Sequence, residues 1–287
     1  MPAFETPQPI AVTVEVFVGY VEIIASDRTD TVVEVRPSDA AKKDDVRAAQ
    51  ETRVDFAAGD LTVKAPTGWK MYAPPNAWRT GSIDVTIEVP TGSRLHGTAH
   101  VGRFLVTGEL GQCELKTSVG DLQLEKAGPV ELRTSGGNIT VDQAVSRASI
   151  TTGTGSVRIR EIDGSGVVKN SNGDSAIGDV AGDLQVNAAN GSITVERPRG
   201  SVTAKTANGN IRIGDAVRGT MRLQTSAGEL EVGIHPGSAA YLDVSTKAGA
   251  LQNLMETAGQ PVQGEETVHV YARSSFGNIT IRHATAV

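Results

Sequence analysis

Eight glycines of this chain fall into one register, Gly102, Gly120, Gly137, Gly155, Gly173, Gly191, Gly209 and Gly228, separated by 18, 17, 18, 18, 18, 18 and 19 residues. A short period held over seven intervals predicts one small unit laid repeatedly upon itself, because a unit of that size cannot bury its own apolar face. Two and four places after the glycines stand apolar pairs such as Ile139/Val141, Val157/Ile159, Ile193/Val195 and Ile211/Ile213. Successive side chains of a strand point to opposite faces, so this spacing describes an inward-facing strand with polar residues outside. A second, weaker pair lies seven and five residues before the glycine, as in Val130/Leu132, Leu184/Val186 and Met221/Leu223. Each rung therefore reads as two core strands.

Between the two strands sits a corner. Its sharpest copies are Asn172-Gly173, Asn190-Gly191 and Asn208-Gly209. Glycine supplies positive φ and asparagine tolerates the left-handed region, so the chain can turn at the same place on every rung. Asn-Gly also favours a type I′ hairpin, in which each strand would pair with its own successor. Recurrence of like residues at like offsets favours rung-on-rung stacking instead, with Ile193 on Ile211 and Val195 on Ile213. Three residues before the corner glycine runs a column of Thr117, Thr134, Thr152, Asn170, Thr206, Thr225 and Thr246. We expect it to form a structural ladder bonded to neighbouring rungs.

The predicted fold class is all-β, a single-stranded β-helix or β-solenoid with rungs of about 18 residues and two core strands per rung. Composition agrees, since 4% aromatic residues and 32 glycines suit many short strands around a thin core. Residues 1–90 carry fainter copies of the motif around Val12/Val14 and Leu61/Val63, a charged helix-forming stretch over 39–52, and a clean strand over 82–89. They are expected to start or cap the solenoid, with residues 91–287 forming its repeats. Near the carboxyl end the period stretches through an insertion containing Leu254 and Met255, expected to fold over the end, and the closing SSFGNITI is expected to complete the last rung through Ile279 and Ile281.

Little in the chain points to chemistry. A net charge of −6 without a basic block disfavours nucleic acid, and no stretch has the length of a membrane span. No amino-terminal leader is apparent, so the expectation is a cytoplasmic protein, at the cell surface only if a leader was removed. The lone Cys113 falls at an inward position and is read as core. Of the five histidines, His96 and His100 are four apart but lie on strand or loop rather than on a helical face, so no metal or other cofactor is predicted. Acids following the second strand, Glu125, Asp142, Glu161, Asp179, Glu196 and Asp215, are interleaved with Lys126, Arg160 and Arg197, which reads as a solvated charged face. One stretch departs from the repeat, PTGWKMYAPPNAW, which places Trp69, Tyr72 and Trp78 on a Pro-rich loop. Those rings suit either a plug for the core or a platform for sugars or peptides.

The ordered series NGSITV, NGNIRI, GGNITV and VGDLQL, with the opening FETPQPIAVTVEVFVGYVEI and the terminal SSFGNITI, resembles the bacterial "putative-adhesin" family of β-strand-repeat proteins, a domain of unknown function frequent in actinobacteria. The resemblance covers Phe4 to Ile281. It implies a β-solenoid, right-handed, with no established catalytic residues. The reading is then a non-catalytic binding or scaffolding protein for a protein or polymer ligand. Two others stand beside it: a self-assembling structural protein, and a carbohydrate-active β-helix enzyme.

Overall fold

The computed structural model describes residues 2–66, 81–255 and 266–284. They form two compact units, Met1–Thr140 and Val141–Val287, each built from parallel rungs.

In the first unit, β1 (Ala3–Glu5), β2 (Ala11–Ser26) and β3 (Asp30–Pro37) are followed by helix α1 (Lys43–Glu51). Then come β4 (Arg53–Ala57), β5 (Asp60–Lys64), β6 (Ile83–Pro90), β7 (Arg94–Leu110), β8 (Gln112–Val119), β9 (Leu122–Ala127) and β10 (Val130–Gly136). β2 is a whole rung in one strand, and β7 lies parallel to it from Ala11↔Arg94 to Ile24↔Thr107. The other edge of β2 is covered by β5 and β6, also parallel, with Val12↔Leu61 and Val21↔Val85. Beyond that rung the pairing changes: β4 is antiparallel to β5, β3 to β6, and β1 to β3.

This change of pairing has a physical cause. β4 reaches its place beside β5 by a tight turn, where a parallel neighbour would need a full crossover of chain, and short antiparallel strands blunt an otherwise open edge. The stretch over 39–52 supplies α1, which carries Asp44 and Asp45 in its first turn, where the helix dipole favours acids. The buried Asp45 carboxylate accepts from the Ser82 N–H at 2.9 Å and the Asp39 N–H at 3.2 Å, tying the helix to the start of β6. Phe104 on β7 is the largest fully buried side chain here.

After β11 (Ile139–Ala144), the second unit alternates between two walls. Its first wall receives β12 (Ala148–Thr154), β14 (Gly166–Asn172), β16 (Leu184–Asn190), β18 (Val202–Asn208) and β20 (Gly219–Ala227). Its second wall receives β13 (Val157–Ile162), β15 (Ser175–Val180), β17 (Ile193–Pro198), β19 (Ile211–Ala216) and β21 (Leu230–Ile234). Strands pair with their equivalents one rung away: Leu184↔Val202↔Met221 on the first wall, Ile193↔Ile211 and Val195↔Ile213 on the second. The Asn-Gly pairs therefore turn a corner between walls and do not close hairpins.

The end of the chain departs from its sequence order. β22 (Ala239–Ala248) and β23 (Leu251–Asn253) precede β24 (Thr267–Phe276) and β25 (Ile279–His283), yet β24 pairs with both β20 and β22, and β25 with both β21 and β23. The last two strands thus return to the interior of the stack, which corrects the expectation that Ile279 and Ile281 close it. The apolar pattern explains the order. β24 and β25 offer Val268, Val270, Ala272, Ile279 and Ile281, all buried, and so take the place covered from both sides. β22 offers only the half-buried Leu242 and Val244, and β23 puts Asn253 where other rungs carry Ile or Val. Leu254 is 64% exposed rather than folded over the end, and residues 256–265 of the insertion lie outside the described residues. Among the described residues no strand pairs with the other edge of β22.

Candidate functional site

The corners of the rungs decide which polar groups remain free to bind anything. At Gly191 the backbone has φ 135°, and a Cβ placed there would lie 2.2 Å from the carbonyl oxygen of Gly173 on the preceding rung. Gly209 repeats this against Gly191, with φ 150° and 2.1 Å. The Thr/Asn column meets the same carbonyls. Thr225 Oγ1 donates to Gly209 O at 3.0 Å, Asn170 Nδ2 to Gly155 O at 3.1 Å, and Thr246 Oγ1 to Gly277 O at 2.9 Å. Ser274 Oγ makes the equivalent bond to Gly228 O at 3.2 Å, a member of the column hidden by its serine. A buried carbonyl left without a donor costs about 1–3 kcal/mol, so Thr225→Val should lower stability by at least about 1 kcal/mol, while Thr225→Ser should retain most of it. Urea denaturation of the two variants checks this.

Asn170 is the exception within the column. Its Nδ2 reaches Gly155 O and, at 2.8 Å, Gly173 O, but its buried Oδ1 has no partner. Threonine, the common residue of the column, would keep the bond to Gly155 O and remove the orphaned acceptor, but it would give up the bond to Gly173 O, for which the next rung, with Ala188 in the column, supplies no hydroxyl. The two effects oppose each other, so Asn170→Thr is expected to change stability by less than about 1 kcal/mol, read from the same denaturation midpoint.

Outside the corner the three asparagines meet. Asn190 Nδ2 donates to Asn172 Oδ1 at 2.8 Å, and Asn208 Nδ2 to Asn190 Oδ1 at 2.9 Å. These exposed amides are engaged with one another and hold rung on rung.

The charged columns of the second wall are likewise engaged. Arg197 grips Asp179 with Nε at 2.5 Å and Nη2 at 2.8 Å, an arrangement that raises the arginine's pKa. Arg282 Nε meets Glu231 at 2.6 Å and His235 Nδ1 meets Asp215 at 2.9 Å. Across β13 to β25 the second wall carries Arg158, Arg160, Arg197, Arg212 and Arg282 against Glu161, Asp179, Glu196, Asp215 and Glu231, so its charges balance. Glycoside hydrolysis needs two carboxyl groups facing one scissile bond. On this wall the carboxylates named above sit against cations or one to a rung.

The outer face of the first wall differs. Its seven strands carry Lys169, Lys205, Arg222, Lys247 and Arg273 against one carboxylate, Asp243. Register places Lys169, Asn187, Lys205, Gln224, Arg273 and Ser245 in one row across the strands. Two residues along the strands from that row the Arg222 guanidinium lies 4.6 Å from the Tyr271 ring centre, Arg273 Nη2 meets Asp243 Oδ2 at 2.8 Å, and two residues further, about 13 Å from the row, the Tyr241 and His269 rings stack at 5.1 Å and 10°. Residues 222, 241, 269 and 271 become neighbours only through the closing order, so the repeat period alone cannot bring them together.

Trp69, Tyr72 and Trp78 lie outside the described residues. Beside the point where the chain enters that segment, an open depression of about 650 Å³ is lined by Gln50, Thr52, Arg53, Lys64 and Pro66. His96 approaches Glu114 at 3.3 Å, and His100 stacks on Phe17 at 4.9 Å. Both lie on β7, where four residues span about 13 Å, too far apart to share a metal ion. Among the described residues no group of three or more His, Cys, Asp or Glu side chains could hold a metal, and no helix is long and apolar enough to cross a membrane. Cys113 is fully buried, and burial pushes its thiol pKa well up. A thiol reagent at neutral pH should leave it unmodified in the native protein and label it once denaturant is added, followed by absorbance or mass.

A model of the family described as Toastrack DUF4097 matches residues 11–282. No curated relative matches the sequence. Among solved structures, one described as a "putative adhesin" from Bacteroides fragilis is 12% identical with a TM-score of 0.36, over 98% of this chain and 95% of that one. Another so described, from Parabacteroides distasonis, is 13% identical with a TM-score of 0.39, over 98% and 95%. A third, described as a "putative lipid binding protein" from the same species, is 10% identical with a TM-score of 0.32, over 99% and 94%.

Proposed function

The chain belongs to the Toastrack DUF4097 family, and we propose that it is a non-catalytic binding or scaffolding protein, presenting flat walls of polar and charged side chains to a protein or polymer ligand. The observation that carries this reading is how the polar groups are engaged. The corner hydroxyls and amides bond to neighbouring rungs, and carboxylates such as Asp179 and Glu231 bond to arginines on an open sheet. Catalysis asks for groups held toward one reacting atom, whereas an extended ladder offers many equivalent contacts to a long partner. In this reading residues 1–90 start and cap the solenoid, the antiparallel strands and α1 keeping that edge from pairing further. The reading is tested by offering the protein immobilised polysaccharides and surface proteins and analysing the ligand afterwards. Retention with the ligand recovered unchanged supports it, and a shortened or modified ligand refutes it.

One observation favours a second reading, self-assembly. β22 has a strand partner on one edge only among the described residues, and an unpaired edge is a template for another chain. Sedimentation over a wide concentration range decides it: a constant monomer mass removes this reading, and a mass that climbs without limit supports it.

A further inference from the structure

From the outer face of the first wall we infer that the second unit binds an acidic polysaccharide, with carboxylate-bearing sugars laid across the strands along the row Lys169, Lys205 and Arg273. The inference rests on the binding reading above and adds the chemistry of the partner and its location. Three features of the wall carry it.

The first is charge. In a chain of net charge −6, this wall holds five cations and one carboxylate, and that carboxylate is engaged by Arg273. Lys169 and Lys205 are exposed and form no ion pair among the described residues. A cationic face on an acidic protein selects an anionic partner and steers it to one side.

The second is spacing. The register alternates cation and amide, Lys169, Asn187, Lys205, Gln224, Arg273, so cations recur every second strand, about 9.6 Å apart at the usual strand separation of ~4.8 Å. That suits a polymer with one carboxylate per disaccharide, whose intervening hydroxyls meet Asn187 and Gln224. A nucleic acid carries phosphates far more densely, with one charge per ~3.4 Å of each duplex strand, and would leave most of them unmatched on this wall.

The third is the ring platform. Tyr271, covered by Arg222, lies two residues along β24 from Arg273, about 7 Å from the row, and the Tyr241–His269 stack, with Tyr241 53% exposed, lies two residues beyond it on the same face. Flat rings on a rigid sheet offer contact area to sugar rings at little entropic cost. An acidic peptide would use the cations but has no need of an amide between each pair or of a ring stack.

The test titrates the full chain with hyaluronan oligosaccharides, which carry one carboxylate per disaccharide. Dextran, polyglutamate and a thymine oligonucleotide are the comparisons. Hyaluronan should bind, dextran much more weakly, and rising salt should weaken the complex. Lys169→Gln with Lys205→Gln should lower affinity about tenfold, two exposed charge contacts of ordinary strength, and Tyr271→Ala should lower it several-fold. Arg158→Gln with Arg212→Gln removes the same charge from exposed positions of the second wall and should leave affinity unchanged. Equal affinity in both double variants would overturn the assignment of the wall, and tighter binding of polyglutamate or the oligonucleotide would overturn the choice of polysaccharide. If no acidic polymer binds while another ligand does, this inference fails and the binding reading stands. If hyaluronan is recovered shortened, the binding reading itself fails.

Discussion

Gly191→Ala is expected to lower stability by about 3–5 kcal/mol, enough to leave the second unit partly unfolded at room temperature. Two costs combine at this position. A φ of 135° lies where side-chain-bearing residues are strained by about 1–3 kcal/mol, and the new methyl would sit 2.2 Å from Gly173 O, a backbone atom fixed by the next rung. Neither the methyl nor the carbonyl can move alone, because the Gly191 N–H is bonded to Asn208 O at 2.8 Å and the Gly173 N–H to Asn190 O at 2.9 Å. The contrasting variant is Gly136→Ala. A Cβ there meets nothing within 4 Å, and its φ is not positive, so stability should be unchanged or rise by up to about 1 kcal/mol through the less flexible unfolded chain. Urea denaturation of both variants separates a glycine that the corner requires from one that it tolerates. Equal effects would mean that the rungs are not stacked at this separation.

The second large effect concerns the closing order. Thr220 is paired with His269, and His269 with Tyr241, which places Thr220 and Tyr241 two strand spacings apart, about 9.6 Å. A disulfide spans Cα atoms up to about 7 Å apart. Oxidation should therefore link Thr220→Cys with His269→Cys and fail to link Thr220→Cys with Tyr241→Cys. The native Cys113, fully buried, does not interfere. A chain stacked in sequence order would give the opposite pattern, since β22 would then lie against β20.

The two variants also mark how far the sequence reaches. Gly191 was legible as a corner because its neighbours one period away are the same residue, and a fixed offset translates directly into a fixed place on the rung. The inward positions followed for the same reason, down to Ile193 upon Ile211. The closing order was not legible, because choosing between β22 and β24 for the inner place depends on comparing the burial of Leu242 and Val244 with that of Val268 and Val270, a competition that periodicity does not express. The ring platform depends on that same choice. Thr220, Tyr241 and His269 are remote in sequence, and no motif joins them until β24 is placed between β20 and β22. The antiparallel strands of the first unit show the same limit. Their apolar alternation was visible, but whether a strand continues a rung or closes an edge is decided by its connection.

A protein that holds a ligand without transforming it should return that ligand intact, and equilibration with hyaluronan oligosaccharides of a single length measures both the amount bound and the mass of what is recovered. Saturable binding is expected, weakened about tenfold by Lys169→Gln with Lys205→Gln, with a recovered oligosaccharide of unchanged mass. Recovery of shorter or unsaturated fragments, produced in proportion to protein and time, would contradict this expectation.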